Sequence, residues 1–83
     1  MNEPKWKTFG NQLKRWRSLC QWTDDDIATI VDVSRVSVSK WMNGHSLPNA
    51  VAFIILIDAI ATRTTVDHWT IIRTLKIDPK HIQ

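Results

Sequence analysis

Between residues 23 and 43 the sequence describes two short helices separated by only three residues, and this spacing is the strongest constraint on the fold. Thr23 and Asp26 match a capping box, in which the N-cap hydroxyl and the third helical carboxylate each accept a backbone N–H. Asp24 and Asp25 then occupy the first turn, where carboxylates favour the positive end of the helix dipole. Because three residues are too few for an antiparallel reversal, we expect the helices to cross at roughly 90–120°.

The second of these helices is delimited as clearly as the first. Ser34 stands where an N-cap hydroxyl is needed, and Gly44 follows the last turn, where a positive φ ends many helices. Asp32 lies in the turn between the two helices, and Asp tolerates a positive φ better than most residues. Ala28 must be small because the third helix of the chain, which begins after Ser34, crosses over it. The expected inward residues are Val33, Val38, Trp41 and Met42, and the expected outward ones are Ser34, Arg35, Val36, Ser37, Ser39 and Lys40.

Three further helices account for most of the remaining chain. The first has an apolar face with a 3.6-residue period, and Thr8 is its expected N-cap. The fourth is expected over residues 50–62 after an N-cap at Asn49, and it is apolar almost all round. The fifth is expected over residues 66–75, with Thr65 as its cap and a short C-terminal tail after it. The apolar face of the first helix consists of Phe9, Leu13, Trp16 and Cys20.

This element order, without any strand pattern, predicts an all-α fold in which residues 1–83 form one compact domain of four to five helices. With only 83 residues the core is thin, so a dimer partner would help to stabilise it. The single cysteine, Cys20, excludes an internal disulfide, and the N-terminus has no signal-peptide pattern. The most apolar run, residues 51–57, is too short to span a membrane. We therefore expect a cytoplasmic protein that does not enter a membrane.

The charges are unevenly distributed along the chain. The formal net charge of +3 is compatible with a nucleic-acid partner without being specific for one. Residues 1–20 hold five basic side chains against one acidic one, whereas residues 21–34 hold four aspartates and no cation. A basic first helix is therefore followed by an acidic second helix. We interpret the aspartate run as helix capping, because nothing near it in the sequence offers converging ligands for a metal.

The stretch DDDIATIVDVSRVSVSKWMNGHSLPN resembles the helix-turn-helix of the lambda repressor and Cro family of regulators, also called XRE-like. Its end, WMNG followed by Asn49, is similar to the end of the family's recognition helix and the loop after it. The resemblance covers roughly residues 9–69 and puts the helix-turn-helix at residues 24–43. It implies a lambda repressor-like DNA-binding domain, a small transcriptional repressor of phage or prophage type. Its third helix would enter the major groove of double-stranded DNA.

The resemblance also implies which residues contact DNA. Arg35 is the leading candidate for reading a base, because its guanidinium can donate to both acceptors of a guanine edge. Val36 can contact a thymine methyl group. Further base contacts are expected from Ser37, Ser39 and Ser46, and phosphate contacts from Lys40, Asn43, Asn49, Lys14, Arg15 and Arg17.

Two departures from the family pattern concern charge. Asp24 stands where the family often has a Gln that touches phosphate, so DNA would repel this carboxylate unless a cation such as Arg35 pairs with it. Arg17 matches a family Arg that often pairs with a Glu after the third helix, but that position is Met42 here. We therefore expect Arg17 to be available to solvent or DNA.

A single recognition helix reads only a few base pairs, so we expect a homodimer on a near-palindromic operator. The candidate interface is an apolar set in and just after the fifth helix, although the same residues could instead close the core of the monomer. They are Ile71, Ile72, Leu75 and Ile77.

Other functions were weighed against DNA binding. Enzymatic activity is not expected, because the sequence holds no phosphate-binding glycine loop, nucleophile elbow or acid–base pair. No cofactor, metal or small-molecule ligand is expected, and the three histidines share no ligand spacing. Trp16, Trp41 and Trp69 are interpreted as core residues. The alternative function is a protein-interaction module, such as an antitoxin or an adaptor, that uses the acidic second helix and the apolar fourth and fifth helices.

Overall fold

Five α-helices make up the part of the fold that the structure describes. The structure, a computed structural model, describes residues 3–76. Its helices are α1 (Lys7–Cys20), α2 (Asp24–Val31), α3 (Arg35–Met42), α4 (Ala50–Thr64) and α5 (His68–Leu75). No strand occurs in this described part, and the predicted all-α class is confirmed. No helix within residues 3–76 is long and apolar enough to cross a membrane. The predicted C-terminal tail lies, from residue 77 onward, outside the described residues.

Most helix ends follow the side-chain signals in the sequence. The capping box of α2 is present, because Thr23 Oγ1 accepts from the Asp26 N–H at 3.1 Å and Asp26 Oδ2 accepts from the Thr23 N–H at 2.8 Å. Ser34 and Asn49 cap α3 and α4, as predicted. Asp32 has a φ of 61°, the left-handed conformation expected in the turn. These ends are determined by hydrogen bonds between residues three apart, which is why local sequence predicts them.

Two predicted caps are wrong. α1 begins at Lys7, so Thr8 lies inside the helix instead of preceding it. α5 begins two residues later than predicted, and its N-cap is Asp67, whose carboxylate accepts a first-turn N–H at 2.9 Å. Thr65 instead ends α4 with a φ of 62°. An aspartate caps better than a threonine and also favours the positive end of the helix dipole, which explains the later start.

The core is built around α1 and α4. α4 packs against α1, α2 and α5, and α1 also packs against α3 and α5. The predicted apolar face of α1 is confirmed, since all four of its residues are buried. Trp69, interpreted from the sequence as a core residue, is 61% exposed, so that interpretation is wrong, whereas Trp16 and Trp41 are buried. The other buried apolar residues are Ile27, Ala28, Val31, Val38, Trp41, Met42, Ala52, Phe53, Leu56, Ile57, Ile60, Ala61, Ile71 and Leu75.

Two hydrogen bonds tie α1 to the C-terminal helices. Trp16 Nε1 donates to Thr74 Oγ1 at 2.8 Å, which satisfies the indole where it is buried between α1 and α5. Arg63 Nε of α4 donates to the Cys20 carbonyl oxygen at 3.1 Å, at the last turn of α1. Burial raises the pKa of the Cys20 thiol, and the positive charge of Arg63 offsets part of this increase. The C-terminal half of α1 is therefore attached to both α4 and α5.

The residues predicted for a dimer interface lie mainly inside one chain. Ile71 and Leu75 are fully buried at 0% exposure, so they close the core of the monomer, which is the alternative that the sequence left open. The reason is that α5 packs against both α1 and α4, and these two positions face the pair. Ile72 is only half-buried. Ile77 lies outside the described residues.

Candidate nucleic-acid interface

The turn between α2 and α3 is held by backbone hydrogen bonds. The Val33 N–H donates to the Ala28 carbonyl at 3.0 Å, and the Asp32 N–H donates to the Thr29 carbonyl at 3.3 Å. With Asp32 in the left-handed conformation, these two bonds form a Schellman motif. Ala28 is 8% exposed, and α3 packs against α2. The turn therefore sets the direction in which α3 leaves α2.

A close approach between α1 and the C-terminal end of α3 sets the position of that end of α3. A Cβ added at Gly10 would lie 2.5 Å from the Met42 carbonyl oxygen and 2.9 Å from that of Trp41. Gly44, with a φ of 75°, touches the backbone of Lys7, and no side chain fits at this contact. The two glycines thus let the chain segments meet backbone to backbone. The sequence suggested the role of Gly44 as a helix end, but it gave no sign of the contact at Gly10.

The outer face of α3 is polar and exposed above an apolar inner face. Val38, Trp41 and Met42 are at most 4% exposed and anchor the helix to the core, as predicted. Val36 is 63% exposed, so its apolar side chain is accessible on the outer side of the helix. On the same outer side Arg35, Lys40 and Asn43 are exposed, and Ser37 and Ser39 are half-buried. The residues predicted to contact DNA on α3 therefore lie together on one accessible surface.

The small polar groups of α3 are ordered by local hydrogen bonds. Ser34 Oγ accepts from the Ser37 N–H at 3.1 Å and lies 3.1 Å from Ser37 Oγ. Asn43 Nδ2 donates to the Ser39 carbonyl at 2.9 Å and reaches Ser39 Oγ at 3.4 Å. A hydroxyl that accepts one bond can still donate one, so Ser39 retains its own proton for a further acceptor. The structure thus orients these side chains without using up their hydrogen-bonding capacity.

Asp24 pairs with Arg17 and not with Arg35. Arg17 Nη1 donates to Asp24 Oδ1 at 2.6 Å, and the two side chains are 30% and 25% exposed. The expectation that Arg17 would be available to solvent or DNA is therefore wrong. The physical reason is the tight end of α1, where Gln21 takes the left-handed conformation and brings the last turn of α1 against the first turn of α2. The pair neutralises one of the four aspartates of α2 and the following turn.

Arg35 has a different acidic neighbour from the one considered in the sequence. Its Nε lies 3.5 Å from Asp25 Oδ1, and the two side chains are 72% and 68% exposed. An exposed ion pair at this distance contributes little to stability, so Arg35 can leave it at small cost. The contact uses the Nε edge of the guanidinium and leaves the two Nη groups for another acceptor.

A basic N-terminal segment lies beside the end of α3, and sequence reasoning did not assign it to the site. The Trp6 N–H donates to the Gly44 carbonyl at 2.9 Å, which brings Lys5 and Lys7 next to the C-terminal end of α3. Lys5 Nζ lies 4.9 Å from the centre of the Trp6 ring. Lys7 Nζ donates to Glu3 at 2.8 Å, and this hydrogen bond lowers the pKa of Glu3. The basic character of residues 1–20 was visible in the sequence, but its proximity to α3 depends on the tertiary contact at Gly44.

The remaining predicted contacts are spread around this surface. Asn49 Oδ1 accepts from the Ala52 N–H at 2.9 Å, so its oxygen serves as the cap of α4 and its amide nitrogen takes no part in the cap. Ser46 is half-buried in the loop between α3 and α4. On α1, Arg15 is exposed and Lys14 half-buried, both off the face that enters the core.

Within residues 3–76 no three His, Cys, Asp or Glu side chains come together in a way that could hold a metal ion. His68 Nε2 and Asp58 Oδ1 lie 3.0 Å apart, joining α5 to α4 at the surface. The three aspartates of α2 take part in a helix cap or an ion pair: Asp26 in the capping box, Asp24 with Arg17, and Asp25 with Arg35.

The sequence matches none of the protein-family models with which it was compared. Comparison with curated proteins likewise finds no match. The resemblance to lambda repressor-like regulators therefore stays a prediction from the residues of α2, α3 and the loop after them.

Proposed function

We propose that this chain is a sequence-specific double-stranded DNA-binding regulator of transcription, a small repressor of phage type that reads the major groove with α3. The observation that carries the proposal is the exposed outer face of α3, with Arg35, Val36 and Lys40 raised above an inner face that is fully packed. A helix presented in this way, at a tight turn after a supporting helix, matches the docking mode of helix-turn-helix proteins.

Arg35 is the residue proposed to read a base. It lies in the first turn of α3, the part of a recognition helix that reaches base edges. Its Nη groups can donate to O6 and N7 of a guanine while Asp25 remains near Nε. Val36, exposed beside it, offers a methyl surface to a thymine. Ser37, Ser39 and Ser46 supply smaller polar contacts in this proposal.

Phosphate binding is assigned to the basic end of the same surface. Lys40 and Asn43 lie in and after the last turn of α3, and Lys5 and Lys7 stand next to that end through the contact of Trp6 with Gly44. Lys14, Arg15 and Asn49 are retained as outer contacts. Arg17 is withdrawn as a direct phosphate contact, because its guanidinium is held by Asp24. The proposal therefore moves the phosphate anchors towards the N-terminal segment.

The test is selection of bound duplexes from a random pool, followed by titration of the selected duplex at several salt concentrations. We expect enrichment of a defined site and a log–log salt slope of about one unit per phosphate contact. Arg35→Ala should weaken binding by about 1–3 kcal/mol, roughly 5- to 150-fold, and relax one base position. The matched control is Arg73→Ala, which removes an exposed arginine of α5 far along the chain from α3. If both variants bind alike, α3 is not the recognition helix.

A second candidate function, binding of a protein partner, is favoured by one observation. Asp25, Asp26 and Asp32 are all exposed beside α3, and residues 24–43 hold four aspartates against two cations. Such a surface suits a basic protein segment better than a phosphate backbone. The same titration separates the two functions. If no duplex is enriched and affinity for DNA shows no salt slope, the DNA-binding function is refuted and the protein-binding alternative remains.

A further inference from the structure

One side of α4 exposes apolar residues that no other part of residues 3–76 covers. Val51 and Ile54 are 68% and 65% exposed, and Ile55 is 38% exposed. Their spacing puts them on one stripe of the helix, with Asp58 next along it. The opposite face of α4 is buried in the core. α4 is thus apolar on two sides, of which the fold uses only one.

The stripe continues into a shallow apolar depression between α4 and α5. The depression has a volume of about 130 Å³ and is lined by Phe53, Ile54, Ile57, His68 and Ile72. Its edge is closed by the contact of His68 with Asp58 at 3.0 Å.

Trp69, 61% exposed, precedes Ile72 by three residues and so extends the apolar surface along α5. We call Val51, Ile54, Ile55, Ile72 and Trp69 the α4–α5 patch. It exposes on the order of 400 Å², about the size of the largest apolar patch on a typical monomeric protein, a patch that is often functional.

We propose that the α4–α5 patch is the interface of a homodimer, in which α4 of one chain crosses α4 of a second copy in antiparallel orientation near Ile54 and Ile55. The exposed area of the patch is about half of the roughly 800 Å² that each partner buries in a stable interface. An area of this size fits the apolar core of an interface that is surrounded by a polar rim. A two-fold contact uses the same surface twice, and apolar stripes of this kind are self-complementary.

The charges around the stripe also fit a second copy. An antiparallel crossing brings the partner's Asp58 beside the first turn of α4, one turn away from the crossing point. That first turn holds no acidic residue of its own, so the positive end of its helix dipole can receive a carboxylate. A two-fold axis repeats this favourable contact at the other end of the interface.

This proposed interface replaces the one predicted from the fifth helix, because Ile71 and Leu75 are buried in the core of the monomer. The exposed patch itself is independent of DNA binding, whereas the role of the dimer in presenting two copies of α3 to two half-sites rests on the proposed function.

The test is sedimentation equilibrium of the full chain and of two variants, Val51→Asp and Ile54→Asp. Because both residues are exposed in the monomer, the variants should fold, which far-UV circular dichroism checks. Leu19→Asp is the matched control, since Leu19 on α1 is 68% exposed, the same fraction as Val51. We expect the wild type and the control to be dimers, and the patch variants to raise the dimer dissociation constant at least about 100-fold. A monomeric wild type, or patch variants that stay dimeric, would overturn the proposal.

A cross-linking experiment gives an answer that does not depend on an introduced charge. Ile54→Cys should form an interchain disulfide on mild oxidation, because a residue near a two-fold axis meets its own copy. Leu19→Cys should not, and the native Cys20 is fully buried. Equal cross-linking of the two variants would refute the interface. Binding of the monomeric Ile54→Asp variant to a single half-site duplex tests DNA recognition separately, so each proposal can fail without the other.

Discussion

Replacing Gly10 with alanine should destabilise this protein, although the same change inside most helices is stabilising. Gly10 lies in the first half of α1 and is buried against the end of α3. Helix propensity alone favours alanine over glycine by about 1 kcal/mol. At this position, however, the new Cβ would lie 2.5 Å from the Met42 carbonyl oxygen and 2.9 Å from the Trp41 carbonyl oxygen. Both atoms belong to the backbone and cannot rotate away.

The expected loss follows from these two opposing terms. Relieving the overlap requires a shift of α1 relative to the end of α3, and overpacking of this kind costs about 1–3 kcal/mol. The contact at Gly44 restricts the shift further, because the backbone of Lys7 already touches that residue. Since the overlap involves rigid atoms, we place the cost in the upper half of that range, at about 2–3 kcal/mol, and the net loss after the gain in helix propensity at about 1–2 kcal/mol. For a domain of this length that corresponds to a decrease in Tm of roughly 5–15 °C.

Thermal unfolding followed by circular dichroism measures this change. The matched control is Asn11→Ala, which raises helix propensity at the neighbouring, exposed position of the same helix and should increase Tm slightly. If Gly10→Ala also increases Tm, the close approach of α1 to α3 is not a rigid contact and the reasoning is refuted.

Three further predictions concern polar groups. Arg17→Gln should lower the free energy of unfolding by about 1 kcal/mol, and a double-mutant cycle with Asp24→Asn, measured in urea, should show that the two effects are not additive. The Cys20 thiol should react slowly with a thiol reagent in the native state and rapidly in denaturant. Burial raises the pKa of Cys20 above the ordinary 9.0. The contribution of the thiol to stability should therefore be complete below pH 9.0 and decline as the pH rises through the higher pKa of the folded state. Cys20→Ala should lack this decline. Hydrogen bonds from Thr70 lower the pKa of Asp67 below the ordinary 3.8. The contribution of this carboxylate to stability should therefore be present above pH 3.8 and be lost as the pH falls through the lower pKa of the folded state. Asp67→Asn should flatten the dependence of the unfolding free energy on pH in this acidic range.

Features that depend on neighbours in the chain could be derived from the sequence alone. The capping box at Thr23, the caps at Ser34 and Asn49, and the left-handed turn at Asp32 all involve atoms within a few residues of each other. The same is true of the buried face of α1, because a 3.6-residue period describes a single helix. The outward side of α3 also followed from this local reasoning, whereas the DNA contacts assigned to that side came from the family resemblance. Where a local prediction was wrong, as at Thr65, a stronger capping residue stood nearby.

Only the tertiary structure decided which of several available partners each side chain uses. The sequence left Arg17 without an acidic partner, because the family's partner position is Met42, and the structure pairs it with Asp24. Trp16 meets Thr74 across 58 positions of the chain, a contact that no local pattern describes. In α4 and α5 nearly every apolar residue was a candidate for either the core or an interface. Packing against α1 buried Ile71 and Leu75 and left Val51 and Ile54 exposed. Hydrophobicity requires that a residue be covered, and the positions of neighbouring helices determine which side of a helix is covered.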